Sequence, residues 1–513
     1  MRFLQNIVLL VVFTVVKCED ENGWKHAVLE VPEKDGSKHN VNLNYGYSTK
    51  YGNNDSPVIL HLSFGLYDDV VRSQLFLIDL ADHLNATVIV IQHRSYNDDI
   101  GAFQPSQALS DFNALYKHFT EGEASPVRFK KSQKVILSGY GYAGFLALWF
   151  YTENNNGRFK SALISDAPIN LYKGFGLSLG AVDNHLKKVY EQAGCKSTVL
   201  NNALEALKTE NLTDFQDIAS ILGLKDVDKV PEDDLKRELQ ILTYFIHDAF
   251  IKLAADEQDF AEKREGTEII AKPVESYCNS VNVSSQSLEG RLYPIKRLLN
   301  ILNKDKYSFD DLDDYKLMVL KCNYLVPYSC PHGPNNDFFT KECQNEEEWK
   351  RYWKSLCSRF NKDNDPKWDF AKQNFEIDLS DLKNVVFVYG EDDVWSVTKP
   401  KTNALTYVIP FLGRSRIFDQ PNSCDSNTLK QFRYQLINLL DCFLDQNTND
   451  ICGDIKGHLP QYEHTNETEC SPEVLAYPWG QTLFINETID DSSAAGFIIS
   501  WITLFFGIVI TLF

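Results

Sequence analysis

The chain has 513 residues, with Lys plus Arg at 51 and Asp plus Glu at 71, a formal charge of −20. That balance, without a basic run, excludes a nucleic-acid binder, which needs a positive footprint to neutralise phosphates. Apolar residues at 43% and aromatics at 12% exclude disordered and fibrous classes. The length fits roughly three domains of about 150 residues, or one α/β enzyme with an inserted cap.

Arg2 precedes an apolar stretch over 7–16, and Val16 and Cys18 suit a cut before Glu19, so residues 1–18 read as a signal peptide. The stretch is too short for the roughly 20 residues of a membrane span. Residues 27–32 and 41–47 alternate apolar and polar positions and read as an opening antiparallel pair. Short apolar runs follow at 57–62, 87–91, 134–137, 161–164, 385–389 and 405–409, without that alternation. Strands buried on both faces of a parallel sheet have this pattern. Between the second and third run, Leu109, Phe112, Leu115, Tyr116 and Phe119 fall at helical spacing behind Ser106 as N-cap. The rhythm implies right-handed βαβ units.

That rhythm stops over 171–374, where the pattern is helical: Leu235, Leu239, Leu242, Ile246, Ala249 and Leu253 mark one amphipathic stripe. Two strands after it resume the sheet, so it reads as an insertion. The expected divisions are a first sheet part at 19–170, a helical cap at 171–374, a second sheet part at 375–446, a glycosylated stalk at 447–493 and a hydrophobic anchor signal at 494–513. Eleven cysteines become ten if Cys18 leaves with the signal peptide, an even set suited to disulfides outside the cytosol. No cluster suggests zinc, and no cofactor motif is read. Asn54, Asn85, Asn211, Asn282, Asn466 and Asn486 each open a glycosylation sequon, with Pro57 lowering the first. Ser492 and Ser493 precede the uncharged tail as sites for a lipid anchor, a single span being the alternative. Partners are therefore the membrane and a peptide or protein ligand, with no nucleic acid. The expected location is the secretory pathway, at the extracellular face of the plasma membrane, in the lysosome, or secreted.

The run at 134–137 enters Ser138-Gly139-Tyr140-Gly141-Tyr142-Ala143-Gly144 and then a helix expected near Phe145. Small residues in a tight strand-to-helix turn suit a nucleophile elbow, whose apex carries the attacking side chain. Here the apex is Gly141. The stretch SGYGYAGFLALWF resembles the GGSYGG elbow of the prolyl-specific serine exopeptidases, the family of lysosomal Pro-X carboxypeptidase, dipeptidyl peptidase II and thymus-specific serine protease. Gln92-His93-Arg94-Ser95-Tyr96 resembles their EHRYYG, Ser106-Gln107-Ala108-Leu109-Ser110-Asp111 their SEQALADL, and Gly390-Glu391-Asp392-Asp393-Val394-Trp395-Ser396 their NGxLDPWS.

The resemblance implies an α/β-hydrolase fold, a mostly parallel sheet with a large helical cap insertion. It also implies a triad acid at Asp393, an oxyanion donor in the Tyr142 backbone N–H, and a histidine position at Ser415, where the family's GAHH has become Gly413-Arg414-Ser415-Arg416. Nucleophile and base are both missing, and glycine can neither attack nor be activated. Ser138, at the strand end, and His458, in the stalk, are the candidate substitutes. His93, Arg94 and Trp395 are candidate ligand contacts at the sheet edge where α/β ligands bind. The expected function is a catalytically inactive cell-surface homologue that binds peptide or protein. The alternative is an active serine exopeptidase cleaving next to proline.

Overall fold

The computed structural model describes residues 24–452, excepting 33–39, 54, 65–75, 95–103, 124, 155–157, 210, 225–234, 259–261, 265–266, 284, 303–311, 331–342, 344, 359, 361–364, 376–377, 381, 415 and 446–451. The expected signal peptide, the anchor tail and nearly all of the stalk lie outside these residues.

Eight strands form one sheet: β1 (Trp24–Pro32), β2 (Asn40–Ser48), β3 (Val58–Ser63), β4 (Thr87–Gln92), β5 (Val135–Tyr140), β6 (Phe159–Ser165), β7 (Val385–Gly390) and β8 (Leu405–Ile409). Their spatial order is β1-β2-β4-β3-β5-β6-β7-β8. β2 runs antiparallel to both β1 and β4, and every later pairing is parallel. This is the α/β-hydrolase arrangement.

The unbroken apolar runs follow from covering the sheet on both sides. Ile59, Val88, Val90, Ile136 and Val388 share one core with α1 (Phe76–Leu84) and the last helix, Asn427–Asp445. Leu60, Leu62, Ile89, Leu137 and Phe387 face α2 (Pro105–Glu121) and α3 (Gly141–Asn154) in a second core. That core continues into the insertion, through α4 (Ala181–Gln192) and α5 (Leu235–Ala255), so the cap is anchored on one face of the sheet.

Two sequence expectations are corrected. Ser106 is not an N-cap: α2 starts one turn residue earlier with Gln104 at the cap and Pro105 in the first turn, where a missing N–H costs nothing. α3 starts at Gly141 rather than near Phe145, because β5 passes into it without a loop. The sequence reading also missed α1, a helix of only nine residues whose Phe76, Leu77, Ile78, Leu80, Ala81 and Leu84 are buried.

Disulfides Cys195–Cys278, Cys322–Cys357 and Cys330–Cys343 staple the cap. Cys442–Cys452 ties the last helix to the start of the 447–493 segment, with Cys452 buried in the core, and Cys424 is also disulfide-bonded. Among the described residues no helix is long and apolar enough to cross a membrane, and no group of three His, Cys, Asp or Glu has metal-holding geometry.

Candidate active site

Gly141 stands at the junction of β5 and α3 with φ of +53°, the left-handed region. A Cβ placed on it would meet nothing within 4 Å. The turn therefore keeps the strained apex of an elbow, and space above it, but carries no side chain. A non-glycine residue in this conformation costs roughly 1–2 kcal/mol. Tyr142 follows in the first helical turn, where its N–H has no intrahelical acceptor. Its ring packs edge-on to Phe64 at 5.3 Å and lies 5.9 Å from His93.

Asp393 caps a 3₁₀ turn, Val394–Thr398, just past β7, and is wholly buried. Arg414 grips it at two points: Nε donates to Oδ2 at 3.0 Å and Nη2 to Oδ1 at 2.7 Å. The Trp395 amide adds a longer bond at 3.3 Å, and the guanidinium lies 5.0 Å from the Trp395 ring centre. Backbone contacts place Arg414: its N–H bonds Ala255 O at 2.9 Å, and Gly413 N–H bonds Glu257 O at 3.0 Å. A Cβ on Gly413 would come 2.2 Å from Ala255 O, so only glycine permits this approach to the end of α5. Ser415, the expected histidine position, lies outside the described residues; its neighbour Arg414 is what reaches the acid.

A guanidinium cannot serve as the base. It has no acceptor lone pair and stays charged. Burial pushes the Arg414 pKa down, but the carboxylates of Asp393, Asp166 and Asp248 outweigh this and hold it above the usual arginine value.

Gly141, Tyr142, Trp395 and Arg414 line a cavity of about 300 Å³ between the strand ends and the cap, whose α5 contributes Tyr244, His247, Asp248 and Ile251. A pocket of this size, mostly apolar with a few polar groups, fits a small ligand.

A family model for serine carboxypeptidase S28 matches residues 35–327, a span that includes the elbow and most of the cap but stops before Asp393. The chain belongs to the S28 family. A Caenorhabditis elegans protein named as a serine protease, pcp-1, is 26% identical over 467 residues, covering 82% of this chain and 81% of its own. A second from the same organism, prolyl carboxy peptidase like protein 5, is 25% identical over 52% of this chain and 57% of its own. Among solved structures, an epoxide hydrolase of the α/β-hydrolase superfamily from hot-environment metagenomes is 12% identical. It covers 75% of this chain and 92% of its own, with a TM-score of 0.29.

This S28 chain holds other serines and histidines, and one pair meets beside Asp393: Ser396, in the turn that Asp393 caps, has its Oγ 3.2 Å from His185 Nε2, although neither residue lines the cavity. Ser138 does bond a histidine, with Oγ 3.0 Å from His61 Nδ1. Both are buried, and alternation along β3 and β5 puts them on the face that carries Ile59 and Ile136, against Phe418 and Tyr140. Burial pushes the His61 pKa down to about 3, and neither residue lines the cavity. His185 lies nearer the acid, but its Nε2–H donates to Glu391 O at 2.8 Å. His458 lies outside the described residues.

His93 packs on Tyr142 and Phe64, while Arg94 makes a two-point pair with Asp111, both bonds 2.7 Å. Neither is in the cavity wall; Trp395 is. The sequence reading missed a second cluster on that wall: His247 Nε2 lies 2.6 Å from Asp183 Oδ1, and Ser329 Oγ donates to Asp183 Oδ2 at 3.3 Å. Tyr244, His247, Asp248 and Ile251 recur at helical spacing beside the leucine stripe, a pattern visible in the sequence once that helix is drawn.

Proposed function

We propose that this S28 family member has lost peptide-bond hydrolysis and acts by binding a peptide or protein, through the cavity between sheet and cap or through its surface. One observation carries the reading: Arg414 clamps the acid of the site while the apex opposite is a bare glycine. Loss of a triad nucleophile or base typically costs about 10⁶ in turnover, and here both roles are empty. In this reading Asp393 is the retained acid, Gly141 and Ser415 mark the lost nucleophile and histidine, and the Tyr142 N–H is an oxyanion donor without a reaction.

A second reading, an active exopeptidase cleaving next to proline, draws support from Ser329 and His247, which line the cavity, and from the buried Asp183 behind them that contacts both. Its weakness is the order of contacts, since Ser329 donates to the carboxylate and not to the imidazole. Purified protein offered a proline-containing peptide and a fluorophosphonate separates the two. No turnover and no labelling are expected; turnover that disappears in Ser329→Ala would establish the second reading.

The disulfides are compatible with the secretory pathway. We place the protein on the cell surface, lipid-anchored at Ser492 or Ser493 and glycosylated. Asn85 and Asn211 are exposed and Asn282 is half-buried; Asn54, Asn466, Asn486 and both serines lie outside the described residues. A phosphatidylinositol-specific phospholipase should release it from cells, and retention would favour a membrane span.

A further inference from the structure

The cavity wall above Gly141 holds hydrogen-bond donors that the protein itself does not use. Tyr172 is only 5% exposed and lines the cavity, yet no described group bonds its hydroxyl. Tyr142 lines the same cavity, and its hydroxyl is buried with no partner among the described residues. Burial raises both phenols, and each remains a neutral donor. Arg414 spends one edge of its guanidinium on Asp393, leaving Nη1 and the outer Nη2 hydrogen. The start of α3 adds the Tyr142 N–H and the positive end of a helix of 14 residues. A buried polar group such as the Tyr142 hydroxyl, left unpaired, costs about 1–3 kcal/mol, and a ligand that bonds it together with the Tyr172 hydroxyl and Arg414 would offset that cost.

The remaining wall narrows the chemistry. Among ionised side chains the lining presents the cations Arg414 and Lys321 against the carboxylate of Asp248. Phe64, Leu171, Ile251, Leu320 and Trp353 supply an apolar surface. The volume of about 300 Å³ holds about ten water-sized groups. From this geometry we infer that the cavity takes a small amphiphilic carboxylate, its head at Tyr142, Tyr172 and Arg414 and its apolar body along the cap wall. The inference rests on the reading that the site binds without hydrolysing.

The test titrates the purified protein with decanoate, decanol and decylamine, following the fluorescence of the tryptophans, two of which, Trp353 and Trp395, line the cavity. Decanoate should bind at least about tenfold more tightly than the alcohol or the amine. The double variant Tyr142→Phe, Tyr172→Phe, which removes only the unpartnered hydroxyls, should weaken decanoate by about ten- to hundredfold. Its thermal unfolding should be unchanged or raised. Equal affinity for the three head groups, absence of decanoate binding, or an unaffected double variant would each overturn the assignment. The same preparation is assayed with a proline-containing peptide. Turnover there sinks the non-catalytic reading, whereas no turnover with no decanoate binding sinks the ligand assignment alone.

Discussion

Arg414, on the cavity wall, and the buried Asp393 form a two-point ion pair at 2.7 and 3.0 Å. In the proposed reading this pair makes Asp393 a structural acid rather than a catalytic one. Asp393 is fully buried, so Arg414→Ala strands a charge and should lower unfolding free energy by about 3–5 kcal/mol. Arg414→Leu with Asp393→Leu should recover most of that loss. Urea unfolding of both variants checks it, and a neutral Arg414→Ala would deny the pair any structural weight.

The position of Arg414 also says how activity could return. Gly141→Ser alone has room for its hydroxyl but no base, and should remain unlabelled by fluorophosphonates. Adding Arg414→His should raise turnover of a prolyl peptide by about 10²–10⁴ over the single variant, the usual contribution of a positioned base. If Gly141→Ser alone reacts as fast as the double variant, another group is already serving as base.

His61 gives the fold an acid-side weakness. Its pKa falls to about 3 in the folded chain through burial, against about 6.5 unfolded. Above 6.5 both states are neutral at this residue and its contribution is fully present. Below that, the unfolded chain takes a proton that the folded chain refuses, so stability falls by up to about 1.4 kcal/mol per pH unit until about pH 3. His118 and His185 are lowered by burial and add in the same direction. Replacing His61 with Leu and Ser138 with Ala should reduce the slope by one proton in urea unfolding between pH 4 and 7, and should not change ligand binding.

Cys195–Cys278 closes a separation of 83 residues across the cap. In the chain-entropy account such a closure contributes about 4–5 kcal/mol. Cys195→Ser with Cys278→Ser should show that loss in denaturant unfolding. A loss below about 1 kcal/mol would mean that the cap is held by its core contacts alone.

The strands were legible because unbroken apolar runs have one economical use, burial on both faces of a sheet, and Val135–Tyr140 and Val385–Gly390 appear where those runs fall. The elbow was legible because its parts are consecutive in the chain. Arg414 was not. Which of four residues, Gly413 to Arg416, turns toward Asp393 depends on the bonds from Gly413 and Arg414 to Glu257 and Ala255, on a distant helix end. The family resemblance marks Ser415 as the histidine position, and that residue lies outside the described ones. The Asp183–His247 pair was hidden for a like reason, since its partners come from different cap helices.

The amino-acid order by itself determined that a strand-to-helix turn would form without an attacking side chain, since local sterics and the lack of a Cβ need no distant partner. Only tertiary packing decided that a guanidinium would neutralise the buried acid. It also decided that the one buried serine–histidine contact among the described residues at the elbow strand would close on the opposite face of the sheet. Charge burial and strand alternation act through neighbours that meet only when the chain is folded.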